Sequence, residues 1–171
     1  LKRINFSKKT GIVLGSGGAA RSVIQGLINL KFSNIVIISR NEQAQRKLVR
    51  DFQGSSSLIK GLMNNDLEII DLINSSDLII NTTPVGMKHI KNENLPFGLN
   101  LWKSLNSQTI VYDLIYNPLP TELIKYCNKK GCLTIDGSQM LVAQGAQSLK
   151  YWTNSKEIPF EIMMEAVKKH L

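Results

Sequence analysis

The stretch Gly15-Ser16-Gly17-Gly18-Ala19-Ala20 constrains this chain more than any other feature, because of what flanks it. Ahead of it, Ile12-Val13-Leu14 is a short apolar run of the kind that forms a buried strand. Behind it, Ala20, Val23, Ile24, Leu27 and Ile28 recur at i, i+3, i+4, i+7 and i+8, one face of an α-helix. Arg21, Ser22, Gln25 and Asn29 fall on the other side. Strand, glycine turn and helix in direct succession match G-x-G-x-x-G/A, with Ala20 in the last place. Gly15 permits a tight turn off the strand, Gly17 lets the backbone approach a pyrophosphate, and the small Ala20 lets helix and strand pack closely. The phosphates of a dinucleotide would then face the free N–H groups at the helix start. A purely structural glycine turn produces the same letters, and the flanking strand and helix argue against it.

The end of the second strand chooses between dinucleotides. Ile35-Val36-Ile37-Ile38 is continuous and β-branched, as a strand covered on both faces should be. An NAD site places Asp or Glu at its end, about 20 residues past the glycines, to bind the ribose 2′-hydroxyl. Here the chain reads Ser39-Arg40-Asn41. A guanidinium takes a 2′-phosphate by paired charge-assisted bonds, where a carboxylate would repel it. The expected cofactor is therefore NADP, with Arg46 near enough in sequence to assist.

Apolar runs and amphipathic stretches alternate along the rest of the chain, which predicts a parallel sheet with crossover helices. Strands are expected at 12–14, 35–38, 58–62, 77–80, 109–113 and 132–135. Helices are expected from Ala20, at 42–52, 66–74 and 120–130, near 138–153, and from Pro159 to Leu171. Gly131 is a stop for the 120–130 helix, and residues 85–107 read as mostly irregular. The expected fold is α/β, Rossmann-like and doubly wound: a mainly parallel six-stranded sheet with helices on both faces, in one domain over 1–171.

Ligands of such sheets bind outside the carboxyl ends of the strands. Three further segments leave strands there: Asn81–Met87, Asp113–Thr121 and Asp136–Gln144. The first has the composition of a shaped turn as much as of a site. Tyr116 in the second is either a substrate contact or an ordinary packing tyrosine. In the third, Met140, Gln144, Gln147 and Tyr151 share one helical face, and amides on a buried helix face need partners such as a substrate hydroxyl or carboxylate.

Other chemistries have little support. His89 and His170 stand apart and read as solvated residues, with no Ser-His-Asp arrangement or metal-ligand spacing around them. Cys127 and Cys132 lack a His or Cys cluster and read as buried thiols, which makes a cytoplasmic setting the default. The net charge of +8 is scattered, and no aromatic residues interleave with it as a nucleic-acid platform would need. No run approaches the roughly 20 apolar residues of a membrane span.

Taken together, GSGGAAR at Gly15–Arg21, SRN at Ser39–Asn41, NTTPVGM at Asn81–Met87, DLIYNPLPT at Asp113–Thr121 and DGSQMLVAQGAQSLKYWT at Asp136–Thr153 resemble the C-terminal, NADP-binding half of the shikimate dehydrogenase family. The blocks run in the family's order across nearly the whole chain. The resemblance implies reversible reduction of 3-dehydroshikimate to shikimate by NADPH, in aromatic amino-acid biosynthesis. By matching positions, Gly15, Ser16, Gly17, Gly18 and Ala19 would hold the pyrophosphate. Ser39, Arg40, Asn41, Glu42, Gln43 and Ala44 would line the adenosine ribose and its phosphate. Thr82, Thr83 and Pro84 would add cofactor contacts, Leu114 and Gly137 would sit near the nicotinamide, and Tyr116 and Gln144 would touch substrate.

Two departures stand out. The family's cofactor loop usually reads Asn-Arg-Thr, and here Ser39 and Asn41 flank the Arg. The family's N-terminal domain, which carries its catalytic Lys and Asp, has no counterpart in this chain. Leu1-Lys2-Arg3 match the end of the family's linking helix, so a fragment of a two-domain enzyme with no catalytic residues of its own is expected. Quinate/shikimate dehydrogenase, the nucleotide domain of glutamyl-tRNA reductase, and a non-catalytic NADP-sensing module are the alternatives.

Overall fold

A computed structural model describes residues 6–90, 95–155 and 157–170. Six strands form one sheet in which every pairing is parallel. They are β1 (Thr10–Leu14), β2 (Asn34–Ser39), β3 (Leu58–Met63), β4 (Leu78–Asn81), β5 (Ile110–Asp113) and β6 (Thr134–Ile135). Their order, β3-β2-β1-β4-β5-β6, reverses direction between β1 and β4. This is the expected Rossmann arrangement, with the expected strands present and only their ends moved by a residue or two.

Alternation along the strands divides the core in two. Ile12, Leu14, Val36, Ile38, Ile79 and Val111 face one layer, which holds α3 (Ile69–Ser75), α4 (Leu99–Trp102) and α5 (Glu122–Lys129). Val13, Ile35, Ile37 and Ile80 face the other, which holds α1 (Gly18–Asn29) and α2 (Glu42–Asp51). Each fully buried Ile, Leu or Phe side chain contributes about 1.5–3 kcal/mol relative to exposure, and both faces of the central strands are covered, as their continuous apolar runs require.

Local chemistry sets the helix ends. Asn41 accepts from Ala44 N at 2.9 Å and caps α2; Thr121 accepts from Ile124 N at 3.2 Å and caps α5. Gly131, at φ 84, turns the chain out of α5 as expected. Within 85–107, α4 forms because Trp102 is fully buried and its indole N–H donates to Pro96 O at 2.9 Å. The polar helix α2 is docked by an amide: buried Gln45 donates to Ile37 O at 3.2 Å and to Leu62 O at 2.5 Å.

Two helices follow β6: α6 (Ser138–Thr153) and α7 (Phe160–His170). They pack on each other, with the open position of Gly145 facing the Met163 methyl. The expectation of a buried amide-bearing face on α6 is overturned. Its buried residues are Ser138, Val142 and Ala146, whereas Gln144, Gln147 and Tyr151 are exposed. Among the described residues α7 has no buried side chain, and Trp152 and Ile162 stand 83% and 68% exposed. Leu1-Lys2-Arg3 and the terminal Leu171 lie outside the described residues. No described helix is long and apolar enough to cross a membrane.

Candidate functional site

The strand-order reversal between β1 and β4 opens a cleft at the carboxyl edge of the sheet, where a doubly wound fold places its ligand. A cavity of 240 Å³ there is lined by Gly15, Ser16, Gly17, Ser39, Arg40, Asn41, Thr82, Thr83, Pro84 and Phe97. Three segments far apart in the sequence thus meet in one place, and all but Phe97 were expected.

Each wall has a local cause. Gly15 sits at φ 107, where a side chain is strained, and a Cβ there would also meet Thr82 Oγ1 at 2.8 Å. Thr82 Oγ1 donates to Leu14 O at 2.6 Å, which holds the β4 loop against the end of β1. On the other side Ser16 and Ser39 share a hydroxyl–hydroxyl bond of 2.8 Å, and Asn41 N donates to Ser39 Oγ at 3.0 Å. Ser39 is buried and engaged in these bonds. It is a latch between two loops and also lines the cavity. Asn41 likewise spends its side-chain oxygen on the α2 cap.

The start of α1 faces the cleft without a side-chain cap, since Gly17 occupies the N-cap and no acidic residue stands in the first turn. The first N–H groups of a helix have no intrahelical acceptors and attract anions. A Cβ at Gly17 or Gly18 would meet nothing within 4 Å, so the backbone there lies open to a ligand. Open, uncapped N–H groups beside an exposed Arg40 suit a group bearing several phosphates.

The remaining expected residues are distributed more widely. Glu42 is ion-paired with Arg46 at 2.5 Å, and both line a separate cavity beside α2 and β3; Arg46 does not line the cleft. Gln43 and Ala44 form the first turn of α2. Gly137 lies against Leu114: a Cβ at Gly137 would fall 2.1 Å from Leu114 O, and Gly137 N donates to Ile115 O at 3.1 Å. Tyr116 lines a smaller cavity of 210 Å³ with Met87, Lys88, His89 and Asn117. Gln144 joins neither cavity's lining.

Beneath the loops after β4 and β5 lies a wholly buried polar cluster. Asp113 accepts from Asn81 Nδ2 at 2.9 Å, Thr121 Oγ1 at 2.7 Å and Ile115 N at 3.2 Å. Burial pushes the Asp113 carboxyl above the usual range, the three donors oppose this, and the Asp136 charge adds a little to the rise. Cys127 and Cys132 are buried free thiols, as expected, and burial pushes Cys127 up to about 12. Among the described residues no group of three or more His, Cys, Asp or Glu is placed to hold a metal ion.

Sequence reasoning missed Phe97, which bends into the cleft at φ 60 beside Gly98 at φ 84. The adjacent glycine was the only signal. It also missed Thr121, which the expected helix over 120–130 placed inside the helix; it is the N-cap of α5 and a donor to Asp113.

Comparison with known proteins agrees with this geometry. Solved structures similar to the chain include a shikimate 5-dehydrogenase from Listeria monocytogenes in complex with shikimate and NAD (26% identity, TM-score 0.83, covering 95% of this chain and 56% of that one). Another is a shikimate dehydrogenase in complex with NADP+ (32% identity, TM-score 0.72, covering 96% and 55%). In sequence, a shikimate dehydrogenase (NADP(+)) of Prochlorococcus marinus is 60% identical over all of this chain and 60% of its own length. One from Nostoc sp. is 35% identical over 98% of this chain and 57% of its own length. The chain thus spans about three fifths of the length of these relatives. The model for shikimate / quinate 5-dehydrogenase matches residues 1–115, and that for the shikimate 5'-dehydrogenase C-terminal domain matches residues 137–168. With its glycine cleft, its Arg40 corner and this match over most of its length, the chain belongs to the shikimate/quinate 5-dehydrogenase family.

Proposed function

We propose that this chain is the NADP-binding domain of a shikimate dehydrogenase, which interconverts 3-dehydroshikimate and shikimate. The observation that carries the proposal is the single cleft into which the glycine turn, Arg40 and Thr82–Pro84 converge. The relatives' names, which specify NADP(+), support it.

In this reading the uncapped N–H groups of α1 and the open backbone at Gly17 and Gly18 take the pyrophosphate. Arg40 takes the 2′-phosphate, and Asn41 acts one step back by fixing the start of α2. The nicotinamide end then lies across the switch point, against Thr82, Thr83, Leu114 and Gly137. NADPH, when bound, supplies the hydride for the substrate carbonyl. The contribution of this chain is to bind, orient and wall off one side of that centre, while Tyr116 offers a phenol to the substrate at its rim. Gln144 contributes only if the substrate reaches the exposed face of α6. The proton donor for the carbonyl oxygen, and the second wall of the substrate site, belong to the part of the relatives that this chain does not span.

Calorimetry with NADP+ and NAD tests the cofactor assignment, with tighter NADP+ binding expected; equal affinities would refute it. An assay of NADPH oxidation by 3-dehydroshikimate tests the division of labour. A carbonyl must be positioned and its oxygen stabilised as charge develops, so this chain alone should turn over negligibly. Turnover within about tenfold of a full-length relative, a gap of only about 1.4 kcal/mol in barrier, would place the catalytic groups in this chain.

A further inference from the structure

Asp113 lines neither cavity, yet its hydrogen bonds run to the loops that line both. It is 0% exposed, as is Asn81. Asn81 Nδ2 donates to Asp113 Oδ1 at 2.9 Å and to Val85 O at 3.3 Å. Its Oδ1 accepts from Thr83 N at 3.0 Å and Thr83 Oγ1 at 2.7 Å. The Asn81 amide therefore has one orientation that satisfies every partner. Turned over, it would set its oxygen against the Asp113 carboxylate and the Val85 carbonyl, and its NH2 group against the Thr83 N–H. Asp113 favours that orientation together with Val85 O and Thr83 N, because a carboxylate accepts and does not donate. Through Asn81 it fixes Thr83, a wall of the 240 Å³ cleft.

The same carboxylate fixes the neighbouring loop. Oδ1 also accepts from Ile115 N at 3.2 Å, and Oδ2 accepts from Thr121 Oγ1 at 2.7 Å, the hydroxyl that caps α5. Between these two anchors runs the segment that carries Tyr116, a wall of the 210 Å³ cavity. Packing joins the same parts: an added Cβ at Gly86 would meet Ile115 Cδ1 at 3.1 Å, and one at Gly137 would meet the Leu114 backbone. Among the described residues Asp113 makes no hydrogen bond to the Ser39–Asn41 wall of the 240 Å³ cleft, which the Ser16–Ser39 latch holds from the other side.

We infer that Asp113 is a positioning residue for the nicotinamide half of the dinucleotide site: through Asn81 and Thr121 it sets the β4 and β5 loops against each other without touching the cofactor. This rests on the proposed NADP site. A buried, multiply bonded carboxylate also serves as ordinary core structure, and the two roles differ in what they disturb. Loss of core structure weakens both halves of the cofactor site, whereas loss of positioning weakens one.

The test measures affinities of the 171-residue chain for NADP+ and for 2′-phospho-ADP-ribose, which lacks the nicotinamide. Asp113→Ala is expected to weaken NADP+ by about tenfold, the worth of one or two hydrogen bonds, and the fragment by no more than about twofold. Asp113→Asn, which can still present an oxygen to Asn81 and Ile115, should recover most of the loss. Equal loss of both ligands, no loss of either, or absence of recovery in Asp113→Asn overturns the inference. If Asp113→Ala does not fold, Asn81→Ala breaks the relay to Thr83 and must give the same selective loss. If neither folds, Asp113 is core structure and the inference falls. Failure of the unmodified chain to bind NADP+ would instead defeat the proposed function, and this inference with it.

Discussion

Gly17→Ala separates the fold from the ligand site. Gly17 is exposed, with φ −87 and ψ −167, a conformation that alanine adopts freely. Its added methyl would meet no protein atom within 4 Å. Alanine is a poorer N-cap than glycine by about 0.5–1 kcal/mol, and it restricts the unfolded chain by about 0.4–1 kcal/mol in the opposite sense. The two nearly cancel, so the melting temperature should move by no more than about 2 °C in a chain of this size. Binding should respond quite differently. The methyl fills the space through which a phosphate oxygen approaches the first N–H groups of α1. Losing one charge-assisted hydrogen bond costs about 1.5–3 kcal/mol, or roughly 10- to 100-fold in affinity. Thermal melts and calorimetry with NADP+ on the same sample read both quantities. Affinity within about threefold of the unmodified chain, a change of less than 1 kcal/mol, would mean that no pyrophosphate sits over Gly17. A fall in melting temperature beyond about 5 °C would mean that the loss runs through the fold.

Three further outcomes are expected. Arg40→Ala should lower affinity for NADP+ by about tenfold, the low end for a charge-assisted contact because Arg40 is exposed, and leave NAD unchanged; a parallel loss for both in calorimetry would remove Arg40 from the 2′-phosphate. Because burial raises the Asp113 carboxyl, the native state holds that proton to higher pH than the unfolded chain does. Stability from this group is therefore present below the unfolded pKa and lost as pH rises through the folded one, so denaturant titrations should show Asp113→Asn gaining on the unmodified chain as pH rises above about 4. No such trend would place the carboxyl's folded pKa at its ordinary value. Cys127, with its thiol pushed up to about 12 and fully buried, should resist Ellman's reagent at pH 8 until the chain is unfolded; rapid modification of the native chain would refute that burial.

Much of this architecture was legible because it rests on local repetition. The apolar runs at 12–14, 35–38 and 77–80 announced buried parallel strands, and the glycine turn fixed where the cleft opens. What the letters could not convey was which partner each polar group would choose. Ser39, expected beside the ribose, lines the cleft and is also a latch to Ser16, because the two strand ends bring their hydroxyls to 2.8 Å. Arg46 was near Arg40 in sequence, but one helical turn sets it beside Glu42, in the lining of another cavity. The periodicity of α6 correctly grouped Gln144, Gln147 and Tyr151, yet periodicity says only which residues share a face. What covers that face is a tertiary question, and here the covered side is that of Val142 and Ala146. Phe97 was invisible because its position depends on a backbone bend and not on a pattern.

The strand order also dictates a sequence of assembly. β1 lies at the centre of the sheet although it precedes the other five strands, and its two neighbours follow it at different distances along the chain. The side-chain tie from Asn34 to Thr10 spans 24 residues, whereas the bond from Thr10 N to Asp77 spans 67. Closing the longer loop costs more entropy and must wait for the chain to be made. The β1-β2-β3 half, with the glycine turn and Arg40, can thus pair before the β4-β5-β6 half exists, leaving one flank of β1 as an open edge in the interval. An unpaired parallel edge of Ile12, Val13 and Leu14 is a template for intermolecular pairing. Pulsed hydrogen exchange during refolding should find amides of β2 and β3 protected ahead of those of β4 and β5. One window of vulnerability to aggregation then lies in the time before Leu78–Asn81 arrives to cover that edge.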